Sequence, residues 1–433
     1  MSIHVGAVVA LTVEKPVAGG RMLARHEGQI VLVAGAIPGE RVMARVERTG
    51  RGVAHAQVID VVEASPDRRE GGDWRCGGNV LGFIAYARQL EIKRQIVEDA
   101  FARVGRIALA AATRTVPSPE GGYRLRTRLH VDGGRLGFYR EGSRQLCDPV
   151  ATGQLSPAAC AWISEVAAAL ARSGSSDVVE LEMAETLPGD ARAVHAVLVP
   201  GSDVRRAAGL LCGAAGISAQ CGEKGAVRVV AGDTVLTDRI PLRCGASTAV
   251  LELRRDVRAF FQGNRYLVEA LVAEVVDRVP SGPVVDLYAG VGVFGLAVAL
   301  LGGDDVTLVE GDEVSGANLA WNTTVVGGRT RSVQSSVEGF LDRTAVGALG
   351  TLGATVVIDP PRIGLSRDAL RGLLRAAPER VVYVSCDPPT LARDARGLID
   401  GGYALGEIAL FDLFPNTAHV ETVTTFARTG PLS

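Results

Sequence analysis

The chain has 433 residues, 47% of them hydrophobic and 22% charged, and a formal net charge of -2. This is ordinary for a soluble globular protein of two or three domains, and it excludes an overall basic chain of the kind that coats nucleic acid. No stretch offers the roughly 18 uninterrupted apolar residues of a membrane span.

From residue 1 to about 62, short β-type runs (VGAVVALTV, QIVLVAG, RVMARVERT, VAHAQVIDVV) alternate with Gly and Pro turns. Four or five strands at this spacing predict a small β-barrel, a module whose faces often bind oligonucleotides. No basic residues precede the first apolar stretch, so no signal peptide is expected. The polar, turn-rich ASPDRREGGDW reads as a boundary. From Leu90 to Val104 apolar positions recur at helical spacing, and Lys93 falls on the opposite, polar face with Glu91, Arg94, Glu98 and Asp99.

Residues 120 to 260 read as mixed and strand-rich. Asp132-Gly133-Gly134 predicts a hairpin, and SPAACAWISEVAAALARSG predicts a helix capped by Ser156, opened by Pro157 and stopped near Gly174. Between Arg114 and Arg144 seven arginines face three acids, a local excess suited to phosphates or to a solvated face. Seven cysteines, odd in number and scattered, predict no disulfide framework and fit a reducing cytoplasm.

Beyond about residue 260 strands alternate with helices, which predicts a parallel, doubly wound α/β sheet with ligands at the carboxyl ends of its strands. The first such end, VVDLYAGVGVFG, carries Gly290, Gly292 and Gly295 in G-x-G-x-x-G spacing, and Glu310 closes the next strand. A nicotinamide dehydrogenase would share that pattern. Asp286 inside the strand favours a ligand with an ammonium group, as in S-adenosylmethionine.

The second end, VVIDPPRIG, places Asp359 before two prolines and Arg362, where enzymes that methylate base amines carry an aromatic residue. The third, VVYVSCDPPT, delivers Cys386 into Asp387-Pro388-Pro389, which reads as neither strand nor helix. A cysteine is commonly packing. Placed beside two other functional strand ends, its thiolate would add to carbon 6 of uracil and make carbon 5 nucleophilic, after which a carboxylate must remove the carbon-5 proton. Glu421, a charge within the apolar alternation of FPNTAHVETV, is the candidate base, with His419 as the lesser one.

FFQGNRYL, DLYAGVGVFG, IDPPRIG, VSCDPPTLARD and DLFPNTAHVETV occur in that order over about the last 175 residues, and they resemble the motifs of S-adenosylmethionine-dependent RNA uracil-5-methyltransferases. The amino-terminal barrel is similar to a TRAM domain. The resemblance implies a TRAM-like barrel over 1–65, a central α+β domain over 66–258 and a Rossmann-like class I methyltransferase domain over 259–433. It implies Cys386 as nucleophile, Glu421 as proton acceptor, and Gln262, Tyr288, Glu310 and Asp359 as contacts to the methyl donor.

Many relatives hold an iron-sulfur cluster on C-x5-C-G-G-C and a later cysteine. Here only Cys76 remains, with Glu70 and Asn79 at two ligand places and Thr152 aligning better than Cys147 with the last. No cluster is expected, and Cys76 should be held by ordinary packing. The implied enzyme is a cytoplasmic monomer acting on RNA, with 23S ribosomal RNA favoured over the transfer RNA T-loop. A retired enzyme serving as an RNA-binding factor is the alternative of another class.

Overall fold

The computed structural model describes residues 3–430. Strands Val8–Pro16, Met22–His26, Gln29–Ala34, Arg41–Thr49 and Val53–Glu63 close into the expected barrel. Along the first strand burial alternates residue by residue, so Val9, Leu11 and Val13 enter the barrel core while their neighbours face solvent.

The turn-rich segment after the barrel is not a free linker. Arg68 pairs at 2.6 Å with Glu40, whose side chain is fully buried. Trp74 packs so closely over Gly35 that a Cβ there would lie 2.7 Å from the ring, and Leu81, Phe83 and Ile84 join the barrel core. The helix Tyr86–Ala100 follows, as the periodicity predicts. Lys93, however, does not lie on a solvated face. It is fully buried and pairs with buried Asp412 at 2.5 Å. Helical spacing alone reports no counter-ion 319 residues away.

The middle region forms a seven-stranded sheet backed by the helix Pro157–Ser173. Asp132 pairs with Arg135, leaving Gly133 and Gly134 as a two-residue turn whose φ values of 56° and 74° suit glycine. The Ser156 hydroxyl accepts the Ala159 amide, and Gly174 closes the helix with φ 60°. Much of the arginine excess is met from elsewhere: Arg114 pairs with Glu274, Arg126 and Arg128 with Glu182, and Arg140 with Asp73.

Cys76 and Cys147 form a disulfide across a Cα separation of 5.7 Å, contrary to the expectation that Cys76 is held by packing alone. Both line a cavity of about 250 Å³ together with Asn79 and Thr152, so all but one of the ligand places considered from sequence do converge. Glu70 stands exposed. The donor set does not fit an iron-sulfur cluster, because the two thiols bond to each other and Asn79 and Thr152 offer no sulfur.

In the carboxy-terminal half, parallel strands Thr330–Gln334, Asp304–Glu310, Pro283–Leu287, Thr355–Ile358 and Arg380–Ser385 lie side by side in that order. Antiparallel Glu421–Arg428 and then Ala409–Phe411 extend the sheet. Arg114–Val116, far earlier in the chain, adds a last strand beside Ala409–Phe411. Separate apolar clusters cover the two faces. The strand order reverses between Pro283–Leu287 and Thr355–Ile358, which opens the crevice where a doubly wound sheet takes its ligand. Among the described residues no helix is long and apolar enough to cross a membrane.

Candidate active site

The glycine loop stands at that crevice. Pro283–Leu287 ends in Tyr288, a non-glycine residue at φ 59°, followed by Gly290 at φ 56° and Gly292 at φ 99°, and the helix Val293–Leu300 begins. A left-handed tyrosine costs about 1–2 kcal/mol, so the rest of the loop must hold it there. Glu310 helps to do so: one carboxylate oxygen accepts the Gly290 amide at 2.7 Å and the other the Asp312 amide at 2.6 Å. Asp286 fastens the far side, its Oδ2 accepting the Gly295 amide at 2.8 Å. A Cβ on Gly295 would lie 2.9 Å from that oxygen, so the third glycine permits close strand-to-helix packing.

Asp286 is fully buried and its Oδ1 has no partner. Burial, with the Asp359 and Glu310 charges adding to it, pushes its carboxyl up to about 8 despite the Gly295 amide. Above this loop Gln262, Tyr288 and Asp359 line one cavity with Phe260, Phe261 and Gly290. Gln262 donates to Asp359 at 3.2 Å. Glu310 is tied to the same cavity through Gly290 rather than as a wall of it.

Cys386 follows the strand Arg380–Ser385 directly. Its two prolines do not form an irregular turn, as their sequence suggested; Pro388 and Pro389 are the first residues of the helix Pro388–Asp400, capped by the Asp387 carboxylate on the Thr390 amide at 2.9 Å. Proline suits this place because first-turn amides lack helical partners anyway. The thiol thus stands just before a helix amino terminus, whose partial positive charge favours a thiolate.

Strand register brings in the next group. Ser385 pairs with Thr422 as the last rung of the antiparallel ladder, so Cys386 and Glu421 both adjoin that rung, near enough for the Glu421 charge to act on the thiol. Glu421 is 5% exposed and its Oε1 has no partner. Burial raises its carboxyl well above the usual carboxylate range, the Asp359 charge adds to this, and Arg362 opposes it. Burial likewise pushes Cys386 up to about 12, with Glu421 and Asp359 adding and Arg362 opposing, and pushes Asp359 up to about 7. Three acids therefore share one cleft, and they cannot all carry charge cheaply.

Arg362 is the cation among them, and sequence inspection missed it as an active group, noting only that it replaced an aromatic residue. Its guanidinium lies 3.4 and 3.5 Å from the two ring nitrogens of His419. Loss of solvent and then the Arg362 charge push His419 down to about 4, so it is neutral and the weaker proton acceptor beside Glu421. Phe260, 58% exposed at the cavity mouth, was also overlooked, although the doubled aromatic of FFQGN was its signal.

Residues 4–59 match the TRAM domain and 351–429 the tRNA (Uracil-5-)-methyltransferase family. An uncharacterised RNA methyltransferase of Corynebacterium efficiens is 31% identical over 98% of this chain and 95% of that protein. The 23S rRNA (uracil(1939)-C(5))-methyltransferase RlmD of Shewanella amazonensis is 30% identical over 96% of this chain and 95% of its own length. The solved Pyrococcus abyssi tRNA (uracil-54, C5)-methyltransferase, in complex with S-adenosyl-L-homocysteine, shares the fold with a TM-score of 0.73 at 24% identity, over 97% of this chain and 100% of that one. Cleft, fold and full-length relatives converge: the chain belongs to the S-adenosylmethionine-dependent RNA (uracil-5-)-methyltransferase family.

Proposed function

We propose that this enzyme methylates carbon 5 of one uridine in 23S ribosomal RNA, with Cys386 as nucleophile and Glu421 as proton acceptor. The pairing of Ser385 with Thr422 supports the reading, because a thiol and a buried carboxylate adjoin that last rung of the ladder and both feel the charge of Asp359, which lines the cavity with Gln262. The 23S assignment is supported by the 30% identity to the Shewanella enzyme along nearly the whole chain. The chain would work as a cytoplasmic monomer divided at about residues 65 and 258.

Gln262, Tyr288, Glu310 and Asp359 would hold the methyl donor. The unpartnered Asp286 Oδ1 beneath the glycine loop fits a donor with an ammonium group better than it fits a dinucleotide. S-adenosylmethionine, when bound, supplies the methyl group from its sulfonium. Cys386 loses its proton to solvent, aided by Arg362 and the helix amino terminus, and its sulfur bonds to carbon 6 of the uracil. That addition places electron density on carbon 5, where the methyl group is received. Glu421 then takes the carbon-5 proton, the electron pair left behind forms the C5–C6 double bond, and the C6–S bond breaks. The proton on Glu421 returns to the thiolate, so one proton is released per turnover.

Methyl labelling of purified 23S RNA and transfer RNA, with the 5-methyluridine mapped by mass spectrometry, tests the substrate. Label confined to one 23S uridine is expected; label confined to the T-loop would overturn the assignment.

Asp286 makes a prediction about pH. Its carboxyl is raised from 3.8 to about 8 on folding, so the folded state holds the proton more tightly than the unfolded one. Its contribution to stability is therefore full below about pH 4 and is lost as pH rises towards 8. Asp286→Asn is expected to flatten the fall in melting temperature over that range. It should also weaken S-adenosylmethionine binding about 10- to 100-fold, the worth of a charge-assisted hydrogen bond. Identical pH slopes in scanning calorimetry, or unchanged affinity by titration calorimetry, would contradict this role.

A further inference from the structure

The loop that leads into Glu421 is shaped from outside the methyltransferase sheet. Four successive carbonyls accept hydrogen bonds from distant parts of the chain: Leu413 from Asn264 Nδ2 at 2.9 Å, Phe414 from Lys93 Nζ at 3.0 Å, Pro415 from the Tyr123 hydroxyl at 3.0 Å, and Asn416 from the Leu81 amide at 2.9 Å. Phe414 also accepts the Thr417 amide and hydroxyl within the loop, but the other three carbonyls tie its conformation to distant partners as well as to its own sequence.

The key contact is reciprocal. Gln89 Oε1 accepts the Asn416 amide at 2.9 Å while Gln89 Nε2 donates to Asn416 Oδ1, also at 2.9 Å. Asn416 stands at φ 64°, a left-handed conformation that asparagine tolerates but that a free loop has little reason to keep. Arg69 donates to the same Oδ1 at 2.8 Å and is itself held by Glu120. Gln89 and Lys93 are four residues apart, hence on one face of the helix Tyr86–Ala100, and both are fully buried. That face grips the loop at Asp412, Phe414 and Asn416.

We propose that Gln89 and Tyr123 are positioning residues for Glu421: by fixing the Leu413–Asn416 backbone they set where the carboxylate stands relative to carbon 5, so that proton removal depends on two residues outside the methyltransferase sheet. The inference rests on the reading of Glu421 as the base. Neither residue lines the cavity of Gln262, Tyr288 and Asp359 or bonds to Asp286 or Glu310, so donor binding is expected to survive their replacement.

The test uses the full-length protein, with Gln89→Leu, Tyr123→Phe and Glu421→Gln compared on methylatable RNA. Gln89→Leu is expected to slow release of methylated RNA about 10- to 100-fold, the cost of a displaced catalytic group. Tyr123→Phe, which removes one hydroxyl and keeps the ring, should slow it about fivefold. In both, covalent RNA–protein adduct should accumulate on a denaturing gel while KM for S-adenosylmethionine stays unchanged. A merely structural role would lower activity in step with the folded fraction and build up no adduct. Absence of adduct in the folded variants, with Glu421→Gln still trapping it, overturns the inference alone. If Gln89→Leu does not fold, Tyr123→Phe decides. Failure of Glu421→Gln to trap adduct overturns the assignment of the base, and the inference with it.

Discussion

Replacement of Cys386 by alanine is expected to abolish methyl incorporation into RNA, by about 10⁴-fold or more, since loss of a covalent nucleophile removes the whole pathway rather than one contact. Folding should survive, because the residue is only partly buried and the strand before it is held by its ladder and by the Thr422 hydroxyl on the Ser385 carbonyl at 3.0 Å. Binding of S-adenosylmethionine should persist as well, because the cavity is lined by Gln262, Tyr288 and Asp359 and not by Cys386. The measurement is tritiated-methyl incorporation alongside calorimetric titration of the donor. Incorporation at the wild-type rate would remove the thiol from the mechanism. Loss of donor binding in parallel would instead make Cys386 a structural residue.

Glu421→Gln separates the two halves of the reaction. Glutamine keeps the shape and burial of the side chain but cannot take the carbon-5 proton, so methyl transfer proceeds and breakage of the C6–S bond stalls. Turnover should fall about 10²- to 10⁴-fold, the usual worth of a positioned base, and RNA should remain attached through sodium dodecyl sulfate. The substitution also removes a negative charge that raises the Cys386 thiol, so adduct formation itself should be no slower than in the wild type. If His419 were the acceptor, Glu421→Gln would release product normally. Its depressed basicity, down to about 4, argues that it would not.

Much of this was legible before folding. The barrel, the Ser156–Gly174 helix and the glycine loop are written in local patterns: two-residue alternation, a cap with its proline, and a strand followed by spaced glycines. Glu421 stood out as a charge within an apolar alternation, whereas Cys386, which packing alone would explain, stood out only beside two other functional strand ends. What local pattern could not carry was partnership across the chain. Lys93 read as a surface lysine until Asp412 was beside it. Cys76 and Cys147, 71 residues apart, gave no spacing signal of their bond. Asp387-Pro388-Pro389 read as a break because proline ends helices, yet in the first turn it begins one. The grip of Gln89 and Tyr123 on the loop before Glu421 was likewise invisible, since buried hydrogen bonds between remote segments leave no periodicity.

The covalent step itself is open to direct observation. Glu421→Gln protein incubated with substrate RNA and S-adenosylmethionine, then digested with protease and nuclease, should yield a peptide containing Cys386 that carries a methylated uridine. Tandem mass spectrometry should locate the added mass on that sulfur. A normal yield of 5-methyluridine with no adduct on Cys386, in this variant and in the wild type, would contradict the mechanism.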